Sequence, residues 1–153
     1  MQIAFGCDHG GFMLKELILS VVRKNGLDIL DFGCMNTERV DYPDYASPVC
    51  QAIRSGQAQR GILVCGSGIG MSIAANKFAG IRATLCNDLY TARFSRLHND
   101  SNVLCLGGRI IGPDLAADIV QVWLDSEFEG GRHSGRLQKI RDLETASKAA
   151  PGC

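Results

Sequence analysis

No apolar run in this chain approaches the roughly 18 residues that a membrane-spanning helix needs. Met1 leads directly into a strand-like segment, not into a charged leader followed by an apolar core. The expectation is a cytoplasmic protein with neither signal peptide nor spanning helix. Net charge is lacking as well: 16 Lys and Arg balance 16 Asp and Glu, so no global field draws the chain to nucleic acid or to an anionic membrane. An anionic ligand must be caught by a local cluster of positive charge. The seven cysteines contain no C-x-x-C pair and their number is odd, which argues against a disulfide framework and against a zinc site. Most of them, such as Cys86 and Cys105 inside apolar runs, read as small packing hydrophobes. No internal repeat, low-complexity tract or linker interrupts the 153 residues. One domain over residues 1–153 is expected, large enough to bury a core without staples.

What is present is a regular alternation of strand and helix. Met1–Gly6 reads as a short apolar strand, and Gly11–Asn25 as an amphipathic helix with Leu14, Leu17, Ile18, Val21 and Val22 on one face, closed by Gly26. Asp28–Phe32 is a second strand and Gly33–Pro43 a polar loop. A helix from about Asp44 to Ser55 tolerates Pro48 only if that residue lies near its first turn. Strands at Gly61–Cys65, Arg82–Cys86 and Val103–Leu106 alternate with helices at Ile69–Phe78 and Leu89–Leu97 and with one begun by Pro113. A last helix is expected from about Gly135 to Ala146, and Pro151-Gly152-Cys153 as a frayed end. Five strands alternating with helices predict an α/β fold with a parallel sheet covered on both faces, whose ligands bind at the carboxyl ends of the strands.

The most informative segment is Gly61-Ile62-Leu63-Val64-Cys65-Gly66-Ser67-Gly68-Ile69-Gly70. A buried strand ends in a thiol and opens into a tight loop whose free N–H groups can receive negative charge. Glycines at 66, 68 and 70 miss the dinucleotide fingerprint, which would need one where Met71 stands, and the lysine of a phosphate-binding P-loop is missing. Asp88, about 20 residues on, keeps a nucleotide reading open. The loop is either a bare strand-to-helix turn or an anion or oxyanion cradle. Cys65 is either packing, like its siblings, or a thiolate base beside those amides. Ser67 either bonds a substrate oxygen or caps the next helix.

Other candidates also stand against plainer readings. Asp8 and His9 follow the first strand at the ligand edge, although Asp8 also suits a turn or helix cap. His98 closes a helix, as a surface histidine on the helix dipole or as an acid–base near neutral pH. Arg109, Arg132, His133 and Arg136 form the basic group. Arg132 and Arg136 are four residues apart, sharing a face if helical, which suits a phosphate dianion. The nearby Glu127 and Glu129 favour an ordinary solvated face instead.

Taken together, FGCDHGG (5–11), ERVDYPDYA (38–46), GILVCGSGIGMSIAANKFAGIRA (61–83), RLHNDSNVL (96–104), GGRIIG (107–112) and EGGRHSGR (129–136) resemble the ribose-5-phosphate isomerase B family, which includes galactose-6-phosphate isomerase subunits. The resemblance covers nearly the whole chain. It implies a Rossmann-like three-layer sandwich with a five-stranded parallel sheet and an extra C-terminal helix. It also implies a cofactor-free, metal-free aldose–ketose isomerase of the non-oxidative pentose phosphate pathway, acting on a small phosphorylated sugar. By the same resemblance Cys65 takes the proton from C2, the loop Gly66, Ser67, Gly68, Ile69 and Gly70 stabilises a cis-enediolate, and His98 opens the furanose ring. Asp8, His9, Tyr42 and Asn99 match ligand-contacting positions, and Arg109, Arg132 and Arg136 match residues that grip phosphate. The family works as a homodimer or a dimer of dimers with shared sites, so the His98 and arginine segments are expected from the subunit opposite Cys65. One branch of it carries glycine at the Cys65 position and a glutamate base at that of Met71. A thioether cannot act as a base, which assigns this chain to the cysteine-base branch. Ser67 stands where many members of that branch have threonine, and the hydroxyl is kept.

The reaction implied is interconversion of D-ribose 5-phosphate and D-ribulose 5-phosphate. Isomerisation of allose 6-phosphate or galactose 6-phosphate is the alternative within the class. A non-catalytic phosphosugar- or nucleotide-binding module is the alternative outside it. Proton transfer between sugar carbons needs a base over C2, donors around O1 and O2, a ring-opening acid–base and a phosphate anchor, and each has a candidate here.

Overall fold

The computed structural model describes residues 1–149, so the end at Pro151-Gly152-Cys153 lies outside the described residues. The strands are β1 (Gln2–Cys7), β2 (Asp28–Asp31), β3 (Arg60–Cys65), β4 (Ala83–Leu85) and β5 (Val103–Gly107). The helices are α1 (Lys15–Lys24), α2 (Pro43–Arg54), α3 (Ile69–Ala75), α4 (Leu89–Leu97), α5 (Pro113–Asp125) and α6 (Arg132–Ala149). All strand pairs are parallel, in the order β2-β1-β3-β5-β4. The expected five-stranded parallel α/β sandwich with an additional C-terminal helix is what forms.

The period of two along each strand builds two cores. Ile3, Phe5 and Cys7 of β1, Ile62 and Val64 of β3, and Leu104 and Leu106 of β5 face α1, α4 and α5. Ala4, Leu63, Cys65, Val103 and Cys105 point the other way, into the layer of α2 and α3. Cys65 is thus aimed at the α2–α3 side by strand parity alone. The six described cysteines are free thiols. Cys7 and Cys34 pack with their sulfurs 3.9 Å apart. Burial pushes the Cys50 and Cys86 thiols up to about 11, and burial together with Cys34 pushes Cys7 up to about 12. These are the packing residues the sequence suggested.

Several boundaries differ from expectation for local reasons. The first helix opens with a 3-10 turn, Phe12–Leu14, because Gly11 already bonds back to Asp8. Pro43 takes the first position of α2, which puts Pro48 in the second turn; the helix runs through it without the N–H that would have reached Asp44. Gly130 and Gly131 both adopt positive φ and release the chain early, so α6 starts at Arg132 and not near Gly135. No helix among the described residues is long and apolar enough to cross a membrane.

Candidate active site

The chain reverses direction across the sheet between β1 and β3: β2 lies outside β1, and every later strand lies beyond β3. Such a switch point leaves a crevice at the carboxyl ends of the two strands. Three post-strand loops meet there and are bonded to one another. Asp8 N donates to Val64 O (3.1 Å), Gly108 N to Cys65 O (2.8 Å), and Arg109 N to Gly66 O (3.0 Å). The result is a pocket of about 390 Å³ lined by Asp8, Tyr42, Cys65, Gly66, Ser67, Gly70, Arg109 and Ile110.

Cys65 is 4% exposed yet lines this pocket. Gly68 N–H is directed at its sulfur at 3.1 Å, an arrangement that suits a sulfur bearing negative charge. Gly68 reaches that position at φ +75, where an added Cβ would lie 2.5 Å from Leu85 Cδ1 and 2.8 Å from the Leu106 carbonyl carbon. Only glycine fits there. At Gly70 a Cβ would enter the Tyr42 ring at 2.7 Å, so the absent side chain lets that ring close one wall. The Arg109 side chain lies over Gly66, its Nε and Nη1 about 3.6 Å from where a Cβ would stand, and brings a cation to the pocket.

The plainer reading of Asp8 is realised without removing it from the site. Asp8 Oδ1 accepts from Gly10 N (2.8 Å) and Gly11 N (3.1 Å), so one carboxylate oxygen holds the turn. Ser67 Oγ accepts from Ile69 N at 3.3 Å, a local turn bond at the entry to α3, whose N-cap position is Gly68. Asp88 is the N-cap of α4, accepting from Thr91 N at 2.7 Å, and this accounts for the carboxylate that kept a nucleotide reading open. His9 lies beside the pocket, and its Nδ1 accepts from Val40 N at 3.3 Å, tying the β1 loop to the loop before α2.

His98, Asn99, Arg132 and Arg136 are elsewhere. Helix α4 leaves the carboxyl edge of β4 and runs back, so its C-terminus lies at the amino edge of the sheet. Gly61 N, near the start of β3, bonds Asn102 O at 2.8 Å, and Glu129 N bonds Leu97 O at 3.0 Å. From Gly61 to Cys65 the sheet rises roughly 13 Å, and among the described residues no hydrogen bond, ion pair or ring contact links the two groups. One chain therefore holds the two groups of candidate residues at opposite ends of its sheet.

The second group is built around the His98–Asp100 corner. Asp100 adopts φ 45, a conformation acidic side chains tolerate. It binds Arg82 and Arg96, each at 2.8 Å, and Arg96, 5% exposed, also donates to Ser101 O at 2.6 Å. Arg60 and Arg96 flank the buried Trp123 ring at 5.5 and 5.8 Å, anchoring the corner to the core. Asp100→Ala leaves Arg96 without its carboxylate. The expected loss is about 2 kcal/mol, read as a lower denaturation midpoint; an unchanged midpoint would remove Asp100 from this role.

Beside this corner the His98 ring stacks on His133 (4.2 Å, 12°), and Glu129 Oε2 lies 3.8 Å from His98 Nε2 and 3.7 Å from His133 Nε2. One ligand atom from each of the three falls within 4.8 Å of the others, a two-histidine, one-carboxylate set of the kind that holds iron or zinc. The fit is poor. Stacked rings point their in-plane lone pairs side by side, not at one centre, and the Arg132 guanidinium already donates to His133 Nε2 at 3.3 Å. Arg132 and Arg136 do share a face, being one turn apart in α6. Ile110 and Asp100 were not singled out from the sequence, and Glu129 was read there only as part of a solvated face. Each adjoins a residue that was singled out, and proximity to Arg109, Asn99 and the Gly-Gly-Arg-His run was the only available pointer.

Residues 3–140 match the model of a family described as Ribose/Galactose Isomerase. The chain is 51% identical over 143 residues to ribose-5-phosphate isomerase B of Escherichia coli, covering 94% of this chain and 96% of that protein. It is 44% identical to D-erythrulose-4-phosphate isomerase of Pectobacterium atrosepticum over 97% of this chain and 98% of the relative. The solved structure of Clostridium thermocellum ribose-5-phosphate isomerase B superposes with a TM-score of 0.94 at 51% identity, covering 96% of this chain and 99% of that one. With its switch-point crevice, its thiol and its arginines, the chain belongs to the ribose/galactose isomerase family.

Proposed function

We propose that this protein interconverts D-ribose 5-phosphate and D-ribulose 5-phosphate, with Cys65 as the base. The observation that carries the reading is a thiol in a crevice with a backbone N–H on its sulfur and an arginine lining the same crevice. Cys65 removes the proton at C2 and returns it at C1. Donors of the Gly66–Gly70 loop and Ser67 stabilise the enediolate between those steps, while Asp8, His9 and Tyr42 contact the sugar. Arg109 and, from a second copy of the chain, Arg132 and Arg136 hold the phosphate, and His98 and Asn99 of that copy attend to the ring. The separation of the two groups within one chain supports this division between subunits. Met71, the position where the other branch of the family carries its glutamate, is fully buried, which supports the cysteine-base assignment.

The substrate is tested by relative turnover. Ribose 5-phosphate is expected to exceed allose 6-phosphate and galactose 6-phosphate by about tenfold or more in kcat/KM, since one extra hydroxymethylene must fit between a fixed sulfur and fixed arginines. A hexose preference would overturn the pentose assignment. The tetrulose-phosphate name of the Pectobacterium relative makes erythrulose 4-phosphate a necessary comparison in the same assay.

A further inference from the structure

Glu129 and His133 entered the sequence as a neighbouring acid and as one member of a basic cluster, yet they close around His98. Glu129 is pinned over the end of α4 by its own N–H on Leu97 O (3.0 Å). Its Oε2 faces two imidazole nitrogens at nearly equal distance, 3.8 Å for His98 and 3.7 Å for His133. Arg132 decides between them. Its Nε–H donates to His133 Nε2 at 3.3 Å, so that nitrogen is an acceptor and the proton of a neutral His133 sits on Nδ1. Burial first, then the neighbouring His98, Arg132 and Arg136, hold the His133 pKa below its ordinary value, in keeping with a neutral ring. An acceptor nitrogen offers no hydrogen to a carboxylate, and a carboxylate can only accept. What Glu129 has left to bind is a hydrogen on His98 Nε2.

The plane of His98 is fixed as well. Phe94 meets the ring edge-on at 4.7 Å and 60°, and His133 stacks on its face. We propose that Glu129 is the positioning residue of His98, selecting the tautomer with hydrogen on Nε2, and that Nδ1 is the atom that exchanges protons with the sugar. Opening the furanose breaks the C1–O4 bond, removes a proton from O1 and adds one to O4. Nδ1 accepts the O1 proton and returns a proton to O4, while Nε2 stays protonated and the Glu129 carboxylate stabilises the imidazolium in between. The 3.8 Å separation exceeds a hydrogen bond; it shortens to one when the site is filled, as catalytic contacts do. Neutral His133, locked by Arg132, keeps the stack without competing for the carboxylate.

This inference rests on His98 as the ring-opening group under the proposed function, and the experiment separates the two. Ribulose 5-phosphate has its O5 blocked and is open-chain, so exchange of solvent deuterium into its C1 needs the Cys65 chemistry but no ring opening. Glu129→Gln is expected to slow conversion of ribose 5-phosphate by roughly 10- to 100-fold while leaving that exchange within about twofold. Glu129→Asp should restore part of the loss. Imidazole 15N spectra should show His98 with hydrogen on Nε2 in the wild type and a mixture of tautomers in Glu129→Gln. Equal loss of both rates, no loss of either, or a wild-type His98 with hydrogen on Nδ1 would overturn the proposal. If His98→Ala separates the two rates and Glu129→Gln does not, only the role of Glu129 falls. If His98→Ala itself fails to separate them, the ring-opening assignment falls and this inference with it.

Discussion

Cys65→Ala is expected to lose roughly 10²–10⁴-fold in kcat on ribose 5-phosphate, about 3–5 kcal/mol of transition-state stabilisation, while still binding sugar phosphate. The direction follows from what the substitution spares. The loop amides are held by Gly68 in its positive-φ conformation and by the bonds between the β3 and β5 loops, none of which uses the sulfur except the single contact from Gly68 N. Arg109 keeps its place over Gly66. Binding measured by calorimetry should therefore persist while the proton has no acceptor. Cys65→Ser should behave nearly as badly, because a hydroxyl is a far weaker base than a thiolate at neutral pH. Another thiol gives a control: Cys50→Ala touches only buried packing and should cost stability, not chemistry. Near-wild-type turnover in Cys65→Ala would return that residue to the packing class and end the proposed mechanism.

Much of this was legible in the chain because local rules and the fold agree. The alternation of strands with helices pointed to a parallel sheet, and the carboxyl-edge rule put Asp8, Cys65, Asp88 and Arg109 at one edge of it, of which Asp88 does not line the pocket. Strand order was not legible, since it depends on which crossovers pack best and not on any one segment. Pro48 shows a different limit: tertiary burial of Ala46, Val49 and Cys50 against the sheet carries α2 through a residue that local propensity would put at its start. Asp8 and Asp88 show a third. Capping and ligand contact draw on the same side chains, and only geometry reveals that Asp88 caps α4 without lining the pocket while Asp8 serves a turn and lines it. Glu129 was invisible as a partner of His98 because their meeting requires α5 to return the chain across the molecule.

That same return makes subunit mixing the most discriminating experiment. In a βα unit the strand end and the helix end lie on opposite edges, so a residue just after α4 and one just after β3 cannot meet within one chain without dismantling the sheet. If Cys65 and His98 serve one reaction, two copies must be apposed so that the amino edge of one faces the carboxyl edge of the other, and a two-fold arrangement then makes two equivalent sites. In such an arrangement, Cys65→Ala and His98→Ala homodimers would each lack one of the two groups in both sites. After exchange of equal amounts, half the dimers are mixed, and each has one site with both defects and one with neither. Activity should rise from near zero to about a quarter of wild type. Sites contained within single chains predict no recovery at all, because every chain then carries its own defect. With exchange verified by labelled subunits, the absence of recovery would overturn the shared site. A recovery that tracks the mixed-dimer fraction as the input ratio is varied would establish that Cys65 and His98 act across the interface.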